Sequence, residues 1–396
     1  MPYVQLAALL AALATVGPFS IDTYLPAFHA IGAELHATPE QVQLTLTAYM
    51  LPMGVMVLWH GALSDAWGRK PVIVGSMLLF GLASLVCVFA SSLEMLMAGR
   101  ALQGITAGAG MVIGRAVVRD LHEGPRAQRL MSHVAMAFAL GPALAPILGG
   151  WIFSLFGWRA VFVFLSVLGL VLALLTAVGL PETLAPSERR PLHPASLARS
   201  YRDAFRHAGF LLLTLAVGFN FNGFFIYVLS APVFLMTHLG LSEREFGWLF
   251  IPGVVGMMSG SALSARLAGR LSQTRTVALG YAVMALACAL NVGVSLLLAP
   301  GIPVSVLPVM VYNFGMAVAM PSLTLLALEY FPANRGLAAS CQSFLQMMTS
   351  AVSASLVAPA LWRTVPGLAF GMLGFMALGL VGVALWTRLQ APKPGA

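Results

Sequence analysis

The sequence predicts an all-α membrane protein of twelve transmembrane helices in two pseudo-symmetric six-helix bundles. Three observations predict it. Only 9% of the 396 residues are charged and 59% are hydrophobic, where a soluble domain carries roughly a quarter charged residues. Twelve stretches reach the about 20 apolar residues that a helix needs to cross a bilayer. A short motif that closes the second stretch returns, altered, in the second half of the chain.

The predicted spans are 4–27, 41–63, 71–91, 95–117, 130–153, 159–180, 209–236, 246–267, 275–298, 303–328, 336–361 and 365–387. They are helices because strand-like alternation is absent and an open sheet cannot leave its backbone polar groups in lipid. The first 21 residues hold no Asp, Glu, Lys or Arg, and the first Lys or Arg is Arg69. Without a basic n-region, the first stretch reads as a retained span and not as a cleaved secretory signal.

Loop charge sets the orientation. With the N-terminus in the cytoplasm, inside segments hold sixteen of the 21 Lys and Arg: Arg69, Lys70, Arg119, Arg126, Arg129, Arg189, Arg190, Arg199, Arg202, Arg206, Arg266, Arg270, Arg275, Arg335, Arg388 and Lys393. Outside loops hold Arg159, Arg244 and Arg363, and Arg100 and Arg115 fall inside the fourth span. By the positive-inside rule both termini are cytoplasmic. The net charge of +8 therefore belongs to membrane topology, and no nucleic-acid partner is expected. The partner expected on these grounds is the bilayer, with the chain acting as a monomer.

Residues 1–182 form the predicted N-terminal bundle and 209–396 the C-terminal one, joined by a basic cytoplasmic linker at 183–208. The linker's basic face is also placed to lie on anionic headgroups. "GALSDAWGRK" at 61–70 recurs as "SALSARLAGR" at 261–270, each at the inner end of the second span of its half, as an internal repeat would place it. Cys87, Cys288 and Cys341 lie in apolar runs with no CxxC spacing and no neighbouring His, so they read as small core residues. No metal-ligand spacing, nucleophile triad or phosphate-cradling GxxxxGK[ST] loop is present. No cofactor is expected, and energy must come from an ion gradient or from the substrate itself.

Four motifs carry chemistry. In the loop after span two, Gly61 and Gly68 permit close packing and a tight turn, and Asp65 precedes Arg69 and Lys70. Span four contains "RALQG", with Arg100, Gln103 and Gly104; an arginine inside the membrane is costly and marks function or a satisfied partner. Arg115, near the inner end of that span, is placed to snorkel. Span five contains "GPALAPILGG": Ala137, Gly141, Ala145 and Gly149 share one helix face, with Gly150 beside them, and Pro142 and Pro146 remove backbone donors. Span eight carries a similar stripe, Gly256, Gly260, Ser264 and Ala268, and the two stripes are expected to meet. Span one carries "SIDTYLPAF", whose Asp22 is the one carboxylate inside a predicted span.

The loop motif resembles the Gly-x-x-x-Asp-x-x-Gly-Arg-Lys signature of the major facilitator superfamily, where this loop helps latch two halves. Ala265 replaces the aspartate in the second copy, so the resemblance implies a one-sided latch. "RALQG" resembles the superfamily's span-four signature, in which the arginine is tied to proton coupling. The Gly141-Pro142…Gly149-Gly150 segment resembles the signature of the antiporter branch. "SIDTYLPAF", "GRAVVRDL" at 114–121 and "FIYVLSAPVFLMTHLGLSEREFGWLF" at 225–250 resemble the Bcr/CflA-type drug exporters. The resemblance covers nearly the whole chain and implies proton-coupled efflux of small drugs of the chloramphenicol or bicyclomycin kind by alternating access.

Spans seven to twelve hold no interior Asp, Glu, Lys, Arg or His. Proton coupling therefore falls to Asp22 and Arg100, which at 1.5 Å rise per residue share a depth of roughly 8 Å below the outer edge. Burial and a neighbouring guanidinium pull a carboxyl's protonation in opposite directions, so the pair serves either as a proton carrier or as a static ion pair. The predicted substrate cavity is lined by Tyr49, Asn220, Asn222, Phe224, Tyr227, Asn313, Gln342 and Gln346, since unpaired amides in lipid are expensive. Its aromatics serve equally well as packing or lipid-facing residues. The alternative within transport is a metabolite facilitator or importer, with no dependence on Asp22. A membrane enzyme lacks a second carboxylate, a His pair or a metal set. A non-transporting receptor has no use for symmetric halves around a polar cavity.

Overall fold

The computed structural model describes residues 2–189 and 191–390. Arg190 and Lys393, counted above among the inside cations, lie outside them. All regular structure among the described residues is helical, and twelve helical segments are long and apolar enough to cross a membrane. The chain divides into two compact units: Met1–His193 with Ser242–Gly247, and Pro194–Leu241 with Trp248–Ala396.

The first unit contains α1 (Tyr3–Asp22), α2 (Phe28–Glu34), α3 (Pro39–Trp67), α4 (Arg69–Val88), α5 (Leu93–Ala107), α6 (Ala109–Leu121), α7 (Gly124–Phe156) and α8 (Trp158–Gly179). Their starts follow from local chemistry. Thr38 and Gln41 form a reciprocal capping box at α3, and Ser92 accepts from the Met95 amide at α5. Gly68 joins α3 to α4 at φ 101°, a left-handed conformation that L side chains rarely adopt. α1 packs on α7, α3 on α5, and α4 on both α5 and α8.

Two predicted spans are broken. Span one bends after Asp22 into a 3-10 turn at Leu25–Ala27 before continuing as α2; Pro26 lacks the amide needed to extend α1. Span four is interrupted at Gly108, between α5 and α6.

The second unit contains α9 (Pro194–Arg206), α10 (Ala208–Leu229), α11 (Gly247–Leu267), α12 (Gln273–Leu297), α13 (Leu307–Leu328), α14 (Arg335–Val352), α15 (Ala358–Leu361) and α16 (Val365–Gln390). π-helical segments follow α10 at Pro232–His238 and α14 at Ser353–Val357. Here α12 packs on α13 and α16, and α10 on α13, α14 and α16.

In lipid there is no hydrophobic force between helices, so close approach over small residues carries the packing. The two small-residue stripes are occupied inside their own units. On α7, a Cβ at Gly149 would fall 1.7 Å from the Thr23 carbonyl oxygen, and one at Gly141 would touch Pro18, so this face packs on α1. Ala145 on the same face is fully buried, while Ala137's side chain lies outside the described residues. On α11, Gly256 and Gly260 face the carbonyls of Met310 and Phe314, and Ser264 donates to the Val318 carbonyl at 3.1 Å. These are the contacts of each stripe within its own unit. Small residues mark a close neighbour without naming it.

Candidate functional site

The polar centre of the first unit forms where span one breaks. Asp22 ends α1 and is 4% exposed, and its Oδ1 has no hydrogen-bond partner among the described residues. Two residues on, Tyr24 is fully buried. Its hydroxyl lies 3.0 Å from the Thr45 hydroxyl.

Arg100 on α5 is fully buried. Its guanidinium sits between two rings, 4.3 Å from the centre of Tyr24 and 4.4 Å from that of Tyr49. Such stacking is worth about 0.5–2 kcal/mol per ring, the larger value when desolvated. Arg100 Nη1 donates to Gln103 Oε1 at 2.7 Å, Gln103 Nε2 donates to Ser84 Oγ at 2.7 Å, and Ser84 donates to the Phe80 carbonyl. No hydrogen bond of regular geometry satisfies Arg100 Nε or Nη2. Gly104 explains the spacing of this motif. A Cβ there would lie 2.1 Å from the Tyr49 carbonyl oxygen, so only glycine lets α5 approach α3 closely enough to stack Tyr49 on Arg100.

The expected Asp22–Arg100 ion pair is not formed. None of the ion pairs among the described residues joins them. Shared depth was the basis for that pairing. In the structure the ring of Tyr24, two residues further along, stacks on the guanidinium. Tyr49, placed by sequence on the cavity wall, is fully buried, and its hydroxyl donates to the Gly17 carbonyl at 3.3 Å.

The loop motif builds a second charged cluster in this unit. Arg69, 8% exposed, donates to the Asp65 carboxylate, to Ser64 Oγ at 2.7 Å and to Asp120 Oδ2 at 3.1 Å. Its backbone amide donates to Glu182 Oε1 at 2.9 Å, and Thr183 donates to Asp120 at 2.9 Å. A Cβ at Gly68 would lie 2.4 Å from Glu182 Oε2, whereas one at Gly61 would meet nothing closer than Val112 at 3.9 Å. Lys70 is half-buried. Gly150 faces the Glu243 carbonyl of the Ser242–Gly247 segment, where Arg244 covers the Trp151 ring and donates to Ser154. Pro142 is half-buried in α7.

The amides of the second unit are distributed over several helix seams. Asn220 donates to the Tyr281 hydroxyl at 2.8 Å, and Tyr312 donates to the Asn220 carbonyl. Asn291 donates to the Tyr227 hydroxyl at 2.7 Å. Asn222 donates to the Gly218 carbonyl and to Thr349 Oγ1, and Asn313 donates to the Gly253 carbonyl, beside which Phe224 is buried. Gln342 donates to Thr324 Oγ1 at 3.2 Å, and Gln346 is half-buried. Asn220, Asn291 and Asn313 thus stitch helices together, which is the other solution to an amide in an apolar setting.

Sequence reasoning passed over His60. It is 1% exposed on α3, beside the Gly108 break, with its ring in reach of the Ile105 carbonyl. A titratable side chain within an apolar run was the available signal. Among the described residues no group of three potential metal ligands comes together, and the three cysteines are buried and unpaired.

Twelve helices long and apolar enough to cross a bilayer, among the described residues, make this a multi-pass membrane protein. The chain belongs to the Major Facilitator Superfamily, whose sequence profile matches residues 9–354. It is 31% identical over 393 residues to multidrug resistance protein D of Escherichia coli K12, covering 98% of this chain and 96% of the relative. It is 32% identical over 271 residues to a bicyclomycin resistance protein homolog of Haemophilus influenzae, 68% of each chain. An MFS-type transporter of Bacillus subtilis, YdgK, is 31% identical over 354 residues, 89% of this chain and 88% of the relative. The fold is similar to that of the human organic anion transporter MFSD10, with a TM-score of 0.68 at 18% identity over 98% of this chain and 100% of that one. A bacterial homolog of the human lysosomal transporter Spinster gives 0.71 at 15% identity over 98% of this chain and 96% of that one.

Proposed function

We propose that the protein is a proton-coupled exporter of small amphiphilic compounds in the bacterial inner membrane, with both termini cytoplasmic. Its relatives' names, multidrug resistance and bicyclomycin resistance, support efflux. The observation that carries proton coupling is Asp22, a buried carboxyl with an unpartnered oxygen at a helix break, in the same unit as a buried cation held by rings and an amide. Contact with the guanidinium and separation from it are two surroundings in which a carboxyl holds its proton differently. The break at Asp22–Leu25 is the element that switches Asp22 between them, and a substrate biases the switch through its differential affinity for the two states. Gln342, Gln346 and Asn222 are the polar groups we assign to the substrate path.

The test is proton flux in vesicles holding the purified protein, with chloramphenicol-like and bicyclic drugs in the panel. Drug-induced proton release that disappears in a folded Asp22→Asn variant is the expected result. Drug movement with no proton movement, or proton-driven transport that survives Asp22→Asn, refutes the assignment.

A further inference from the structure

The linker helix α9 is sharply two-sided. Leu197, Tyr201, Ala204 and Phe205 recur at helical spacing on one face, and Arg199, Arg202 and Arg206 occupy the opposite one. The apolar face is already used. Ala204 is fully buried, Phe205 lies 5.6 Å from Phe344 between ring centres, and α9 packs on α10 and α14. The three arginines are exposed. The one acid beside them, Asp203, lies 3.8 Å from Arg202, with both side chains about 60% exposed (60% and 61%), a geometry that neutralises little.

The placement of this face matters. α9 runs into α10 through the single residue His207, whose ring accepts from the Phe210 amide, so the arginines stand where a spanning helix enters the bilayer. The same end of this unit carries Arg266, Arg270, Arg275, Arg335 and Arg388, all exposed, against the acids Asp203 and Glu329. Eight arginines less two acids leave six positive charges. The opposite end of this unit carries Arg363 alone.

The geometry points to the α9 arginine face as a docking surface for the headgroups of anionic phospholipids. The apolar face anchors the helix flat on the unit, and the guanidinium row, about one turn per step, matches a row of lipid phosphates. At about 1 kcal/mol per arginine near a charged surface, three arginines correspond to a roughly 100-fold preference for anionic over neutral headgroups. The surface is independent of proton coupling, because it shares no residue with the Asp22 site.

A label reads this directly. The three native thiols are buried, so an environment-sensitive fluorophore on Ala198→Cys, an exposed position flanking the arginine row, reports α9 alone. The full-length protein is placed in nanodiscs of phosphatidylcholine, with or without phosphatidylglycerol, and quenched by iodide. Anionic lipid is expected to lower the quenching constant at least about three-fold. The effect should vanish at high salt and in the combined Arg199→Gln, Arg202→Gln, Arg206→Gln variant, and return in the matching lysine variant. Equal quenching in both discs overturns the proposal. So does protection by inorganic phosphate in neutral discs, which would make the ligand a soluble anion, or protection by an oligonucleotide alone, which would make it a nucleic acid.

Discussion

Replacing Gly104 by alanine tests how the Arg100 site is held. The added Cβ would stand 2.1 Å from the Tyr49 carbonyl oxygen, 3.0 Å from its carbon and 3.2 Å from Tyr49 Cα. All three are backbone atoms, so no rotamer change relieves the clash. Reaching ordinary contact at 3.4 Å requires α5 and α3 to separate by at least about 1.3 Å, and overpacking of this kind costs typically about 1–3 kcal/mol. The separation also draws the Tyr49 ring off the guanidinium, now 4.4 Å away, losing up to about 2 kcal/mol of a desolvated contact. The expected total is about 2–5 kcal/mol. It is measured as a fall in thermal midpoint of the detergent-purified protein, with loss of transport in vesicles. Gly61→Ala is the control, because its Cβ would meet nothing closer than 3.9 Å and should change stability by less than about 0.5 kcal/mol. A Gly104→Ala protein with the thermal midpoint and transport of the parent would refute the reasoning.

Three further outcomes follow from the same contacts. Gly68→Ala combines a left-handed φ of 101° with a Cβ 2.4 Å from Glu182 Oε2; it should destabilise by about 1–3 kcal/mol in thermal unfolding. Tyr49→Phe keeps the ring on Arg100 and should retain most stability, while Tyr49→Leu should cost about 2 kcal/mol or more; equal midpoints for the two would show that the ring contact is unimportant. Asp120→Asn removes a charge from the Arg69 hub, whose Nε bond is 3.1 Å, and should cost about 1–3 kcal/mol, with Asp65 still holding the arginine.

The Asp22–Arg100 case shows where a sequence reading stops. Counting residues from the ends of spans one and four placed both side chains at one depth, because helix rise is constant. In the structure the ring of Tyr24, beside the break at Leu25–Ala27, stacks on the guanidinium. No local rule says which residue beside a break will face which neighbour. Likewise "RALQG" was legible as a motif. That Gly104 serves the Tyr49 carbonyl emerges only when α3 and α5 are side by side.

Hydropathy and length by themselves determined the twelve spans and the all-helical fold, because lipid leaves a chain almost no other way to satisfy its backbone, and short motifs carried the family resemblance. Those signals are local and survive in one dimension. Tertiary structure alone decided which helix each glycine stripe meets, that Asn220, Asn291 and Asn313 join helices, that His60 is buried at the Gly108 break, and that tyrosines hold Arg100. These depend on azimuth and on contacts between residues far apart in sequence, which hydrophobic periodicity averages away.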